Sequence, residues 1–299
     1  MKNKFKNIIN SHIDKNKDWL IKNIFKVVSK NTINTPPSGN ENNGQEVIEK
    51  ILKDLGLQID RFSPDNLSGL KDKSYYLKDR TYNNRDNIVG YTGEGKKFTL
   101  IFNGHIDTVP SNHFKWQKTE PFEPKVIDDR IYGLGVCDMK SGIICSIFAL
   151  KAILDLGFKI KGKVIIESVV DEEFGGANGS LACVFKGYTG DMAIITEPTS
   201  MKVGVSNVCS KVLLLKIKGA GGLNYFGKSI DNINPIILMS EVLLMIKKYE
   251  DYLNSIKHKY PIYRDMKTPF NFLFSDIEAG KIGPDKIMST RISVWPGYI

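Results

Sequence analysis

The chain has 299 residues, 41% of them hydrophobic and 25% charged, with 42 Lys and Arg against 33 Asp and Glu for a net charge of +9. Length and composition describe an ordinary globular protein of one or two domains, and exclude a disordered or fibrous chain. The basic residues are mostly Lys scattered among Asn and Ile, without a dense block interleaved with aromatics, so no nucleic-acid partner is expected.

The start of the chain, residues 1–30, is broken by charge every few residues and has no apolar core of the signal-peptide kind. No apolar run approaches the ~20 residues that span a bilayer, so no membrane partner is expected. The four cysteines, Cys137, Cys145, Cys183 and Cys209, form no C-x-x-C pair. That spacing argues against a zinc knot or a disulfide framework and makes a reducing cytoplasm the expected compartment.

In chain order, Phe5, Ile8, Ile9, Ile13, Leu20, Ile21, Ile24 and Phe25 recur at helical spacing over residues 3–30, and Pro36-Pro37-Ser38-Gly39 ends that segment. A second helix is expected from Gln45 to Leu55, then a polar, loop-rich stretch over residues 63–86. Strands follow at Asn87–Tyr91, Phe98–Asn103 and Lys125–Tyr132, with a helix over Lys140–Leu156. Val164–Val170 is a near-continuous β-branched run, the pattern of a strand buried on both faces. A helix at Gly179–Phe185 and a strand at Met192–Thr196 complete an alternating β/α pattern.

After residue 205 the pattern changes to strand (Lys211–Lys218), long helix (Asn232–Leu253) and strand (Lys286–Trp295). The expectation is an α/β fold with a mixed, largely parallel sheet flanked by helices over residues 1–205, and a smaller α+β domain over residues 206–299.

The chemistry gathers at strand ends. Gly104-His105-Ile106-Asp107 follows the strand at Phe98, and residues two apart on an extended chain point the same way. His105 and Asp107 can therefore face one site, at the strand end where open α/β sheets bind ligands. Asp138 precedes a helix, Asp171-Glu172-Glu173 ends the strand at Val164–Val170, and Glu197 ends the strand at Met192–Thr196. Singly, each has a bland reading: a helix cap, a solvated turn, an isolated charge. Together, so many carboxylates at one sheet edge repel unless a cation sits among them. One imidazole with several carboxylates suits Zn²⁺ or another first-row divalent ion. Of the adjacent Glu172 and Glu173, one can bind metal while the other works as a base.

These motifs resemble those of the co-catalytic zinc amidohydrolases and metallopeptidases, the family of acetylornithine deacetylase, succinyl-diaminopimelate desuccinylase, aminoacylase and glutamate carboxypeptidase. Asn103 to Pro110 is similar to its G-H-x-D-x-V-P motif, Tyr132 to Gly142 to the stretch into its D-M-K-G motif, Asp171 to Gly176 to D-E-E-x-G-G, and Thr196 to Thr199 to the next ligand motif. The spacing of Trp116 and Pro121-Phe122 leans toward the deacetylase and desuccinylase branch. The resemblance implies two divalent ions, Zn²⁺ first with Co²⁺ or Mn²⁺ as alternatives. It makes His105 a ligand oriented by Asp107, Asp138 a bridge, Glu172 the general base and acid, Glu173 a ligand of the second ion and Glu197 a ligand of the first. It further implies attack of metal-activated water on the amide of an N-acyl amino acid or peptide, and a lid and homodimerisation domain over residues 206–299.

Measured against that family, the chain departs in two places. A second metal histidine would lie on a C-terminal return, so ~80–100 further residues are expected beyond Ile299. A lid histidine would lie near Gly222 or Leu223, where this chain has Gly219-Ala220-Gly221-Gly222-Leu223-Asn224. Ser141 also replaces a usual Gly. His12, His113 and His258 match no family motif and are expected at the surface. The alternative to a hydrolase is therefore a catalytically impaired homologue that binds a small molecule or partner on the same scaffold.

Overall fold

The computed structural model describes residues 2–93, 97–113, 115–175, 178–205, 213–220, 235–282 and 287–296. Cys209, Gly176 and the Gly222–Leu223 position lie outside the described residues. The chain divides into two compact units, Met1–Lys202 and Val203–Ile299.

The first unit opens with α1 (Lys2–Lys15) and α2 (Lys17–Val28). The apolar spacing over residues 3–30 predicted one helix, but the chain turns at Asn16, whose side-chain amide donates to the His12 carbonyl. A short hairpin follows, β1 (Asn34–Thr35) and β2 (Ser38–Gly39), and then α3 (Asn42–Asp54). The strand β3 (Gln58–Phe62) precedes β4 (Asn87–Gly93) and β5 (Thr99–His105). The strand expected over Lys125–Tyr132 is a hairpin, β6 (Lys125–Ile127) and β7 (Arg130–Tyr132). Its turn residues Asp128 and Asp129 both have positive φ, the geometry that suits a two-residue hairpin loop. The unit closes with α4 (Ser141–Asp155), β8 (Lys163–Val169), α5 (Asn178–Phe185) and β9 (Met192–Ile195).

The central sheet is mixed, in the order β3-β4-β8-β5-β9. β5 pairs in parallel with both β8 and β9, while β3 and β4 add antiparallel pairs on the far side. Gly104 on β5 faces Met139, just before α4, and Ile143 in its first turn, and Asn103 bonds Ser180 of α5, so helices cover both faces. The core includes Ile48 and Leu52 of α3, Ile144 and Ile147 of α4, and Ile165 and Ile166 of β8. β9 is the edge strand, and its four residues are exposed.

Glu167 lies buried in the middle of β8, with the Asn103 amide donating to it at 2.8 Å. Burial pushes its carboxyl up from 4.5 to about 7, and only that amide opposes. A carboxyl raised on folding contributes stability below pH 4.5 and loses it as pH rises through 7. The full shift corresponds to about 3 kcal/mol. Glu167→Gln is expected to flatten the decline in urea-unfolding stability between pH 5 and pH 8; a variant with the wild-type decline would show that Glu167 ionises normally.

The second unit holds β10 (Leu213–Ala220), α6 (Pro235–Ser255), β11 (Phe272–Ile282) and β12 (Ile287–Pro296). The strands form an antiparallel sheet in the order β10-β12-β11. Met239 of α6 is buried against Leu215, Ile217 and Phe272. β11 was not expected from the sequence; it contains Asp276, Glu278 and Gly280, and two register shifts interrupt its pairing with β12.

Candidate active site

Three parallel strand ends build the site. His105 is the last residue of β5, Glu172 and Glu173 follow β8, and Glu197 follows β9. Asp138 comes from a different kind of element, an irregular turn at Val136–Lys140 that leads into α4, and the Asp138–Met139 peptide is cis. Gly142 lets α4 approach the Glu197 loop: a Cβ there would lie 2.3 Å from the Thr196 carbonyl oxygen. Gly142→Ala must therefore displace the loop, with an expected 10–100-fold loss of Co²⁺ affinity in titration; unchanged affinity would mean that the loop does not position Glu197.

The structure brings all six sequence-predicted residues together. His105 is buried, and its Nε2 faces Asp138 Oδ1 at 2.9 Å, Glu197 Oε1 at 3.6 Å and Glu172 Oε2 at 3.8 Å. Its other nitrogen, Nδ1, lies 3.0 Å from the main-chain carbonyl of Asp107 and 3.5 Å from that residue's carboxylate. Asp107 thus reaches the ring first through its backbone. Its buried carboxylate also accepts from the main-chain N–H groups of Glu172 and Glu173 at 3.0–3.1 Å. Two ligand groups arise, His105 with Asp138 and Glu173, and His105 with Glu172 and Glu197. Of the other described histidine side chains, His12 bonds Asp155 at 3.0 Å, and His258 is exposed.

The electrostatics match a crowded anionic site around one imidazole. Burial pulls the His105 imidazole down, but Asp107 and Asp138 outweigh it and raise the ring's pKa well above its ordinary range. Burial likewise opposes ionisation of Asp107, and His105 and the Asn34 amide overturn this, holding its carboxyl low. Burial, then the Asp138 charge, pushes Glu173 up to about 7. Burial does the same to Glu197, with Asp138 and Glu172 adding to it. Glu172 is also raised, chiefly by burial. Lys140 is buried behind the turn, its Nζ donating to the Lys30 carbonyl at 3.1 Å.

Sequence reasoning missed the polar network beneath these residues. Arg85, Glu41, Asn34 and Asp171 are all fully buried. Arg85 Nη2 donates to Glu41 Oε1 at 2.6 Å and to Asn34 Oδ1 at 3.1 Å. Asp171 accepts from Tyr82 Oη at 2.5 Å and Arg80 Nε at 3.2 Å. The segment containing Arg80, Tyr82 and Arg85 was expected to be a polar loop; a cluster of Arg and Tyr in a stretch without periodicity was its only signal.

An α/β sheet with an acidic cluster and one imidazole at its parallel strand ends defines a class, a domain built around a candidate divalent-metal centre. The chain belongs to the peptidase family M20/M25/M40, whose profile matches residues 101–286. It is 32% identical over 197 residues to the N-formyl-4-amino-5-aminomethyl-2-methylpyrimidine deformylase of Halalkalibacterium halodurans, covering 64% of this chain and 42% of that one. It is 30% identical over 181 residues to the succinyl-diaminopimelate desuccinylase of Wigglesworthia glossinidia brevipalpis, covering 58% and 48%. The chain thus spans less than half the length of these curated relatives. The solved dipeptidase Dug1p of Saccharomyces cerevisiae shares the fold, with a TM-score of 0.62 at 15% identity over 98% of this chain and 73% of that one.

Proposed function

We propose that the chain carries the metal-binding part of a hydrolase that cleaves the amide bond of N-acyl amino acids or peptides. The observation that carries this reading is the single buried Nε2 of His105 faced by three carboxylates within 3.8 Å. A donor set of one imidazole and several carboxylates, two of them pushed toward 7 by burial and by their neighbours, fits a divalent cation that would relieve the repulsion.

His105, Asp138 and Glu197 would hold one ion, with Asp138 and Glu173 reaching a second; Zn²⁺ comes first, with Co²⁺ or Mn²⁺ as alternatives. Such ions supply Lewis-acid polarisation of an acyl carbonyl and acidify a water. Glu172, half-exposed and raised by burial, is suited to take a proton from water and return it to the departing amine. Asp107 fixes the His105 ring from behind. The names of the relatives, a deformylase and a desuccinylase, support an acyl group on nitrogen as the substrate feature. A homodimer through residues 206–299 and a cytoplasmic location belong to the same reading.

A second reading, a catalytically impaired homologue that binds a small molecule, is favoured by one observation. Among the described residues, His105 is the only histidine in either metal group. The test is metal quantitation on the purified chain beside a hydrolysis assay on N-formyl, N-acetyl and N-succinyl amino acids with added Zn²⁺ or Co²⁺. Bound metal with turnover supports the hydrolase. Bound metal and a retained small molecule without turnover support the second reading, and well under one equivalent of metal overturns both.

A further inference from the structure

Two carboxylates with separate duties lie under the site. Asp107 sits behind His105 and receives the N–H groups of Glu172 and Glu173. Asp171 begins the loop that carries those two glutamates, with a left-handed φ of 62° that an L side chain adopts only at a cost of about 1 kcal/mol. Asp171 is tied down by Arg80 and Tyr82, and Arg80 also donates to the Phe174 carbonyl further along the loop at 3.0 Å.

One nitrogen joins the two halves. Asn34 Nδ2 donates to Asp107 Oδ2 at 2.9 Å and to Asp171 Oδ1 at 3.0 Å. The Asn34 Oδ1 accepts from Arg85, which fixes the direction of the amide. The Asn34 backbone is itself held, its N–H donating to the Thr108 carbonyl at 2.9 Å. Only an amide can donate to two carboxylates while accepting from a guanidinium. A carboxylate at position 34 would place a third negative charge there, and an apolar side chain would leave two buried carboxylates facing each other without a bridging donor.

We propose that Asn34 is a positioning residue for the metal site: it locks the strand end carrying His105 to the loop carrying Glu172 and Glu173, so that the ligands from β5 and β8 keep their relative placement. The inference rests on the metal-dependent reading above, but half of its test is independent of metal.

The test compares wild type, Asn34→Leu and Asn34→Asp with Gln45→Leu. Gln45 is a second buried amide, donating to the Asp86 and Ser168 carbonyls and to none of the site carboxylates. Two quantities are read on the intact chain: affinity for Co²⁺ alone, and amide hydrogen exchange at Glu172 and Glu173 relative to Ile165 and Ile166. The expected result is a 10–100-fold loss of Co²⁺ affinity in both Asn34 variants. Glu172 and Glu173 exchange faster in those variants while Ile165 and Ile166 do not, and Gln45→Leu changes neither quantity at a comparable loss of stability. Wild-type affinity together with unchanged exchange at Glu172 and Glu173 overturns the inference. If wild type binds no Co²⁺, the metal-dependent reading fails, and the exchange comparison alone decides the role of Asn34. If neither variant folds, Asn34→Ser, which keeps one donor, is read in the same way.

Discussion

Arg85→Met is expected to remove about 3–5 kcal/mol of stability and lower the melting temperature by roughly 10 °C. The side chain is fully buried and lies between two fully buried carboxylates, Glu41 and Asp171. Burial pushes the Glu41 carboxyl up to about 7 even with Arg85 beside it. Without the guanidinium, both carboxylates stay in the interior with no cation in contact, apart from the Arg80 contact to Asp171. The loss is large because domains of this kind have only about 5–15 kcal/mol in hand. Arg85→Met combined with Glu41→Gln should recover part of it, since one unpaired charge is then gone. A double variant as unstable as the single one would show that Arg85 acts through packing alone, for instance against the Tyr82 ring, whose centroid lies 5.1 Å away.

His105→Ala is expected to weaken Zn²⁺ or Co²⁺ binding by more than the 10–100-fold typical of losing an outer partner. Both metal groups share this one ring, so no alternative imidazole remains in either. Asp138, Glu172, Glu173 and Glu197 would still be close together, but four carboxylates favour harder ions such as Mg²⁺ or Ca²⁺ over zinc. Competition against a chromophoric chelator reads the change directly. Affinity within about tenfold of wild type would remove His105 from the metal site.

The site was legible where its residues sit on regular elements. His105 and Asp107 could be paired because the chain is apolar through Phe102 and residues two apart on an extended segment point the same way. Glu172, Glu173 and Glu197 followed because β8, apart from Glu167 and Ser168, and β9 are also apolar runs that lead into acids. Less regular parts were hidden. The apolar spacing of the first thirty residues runs on past Asn16, so it could not show a break between two helices. The strand Gln58–Phe62 is short and carries Asp60 and Arg61, and charge weakened its pattern. The support network was the least visible part. Arg80, Tyr82, Arg85 and Asp171 are polar by composition and buried in fact. Their burial depends on partners 44 to 91 residues away, which local spacing does not encode.

Those separations also set an order of events. Asn34 meets Asp171 across 137 residues, and Tyr82 meets it across 89. Contacts so distant along the chain form only after a large loop has closed, and they slow folding accordingly. On the ribosome, Asn34, Glu41 and Arg85 emerge long before the strand and loop that bring Asp171 to them. The helices and the β3–β4 pair can assemble early from nearby segments. The floor of the metal site cannot, so the first unit gains its binding geometry at the end of its folding rather than at the start.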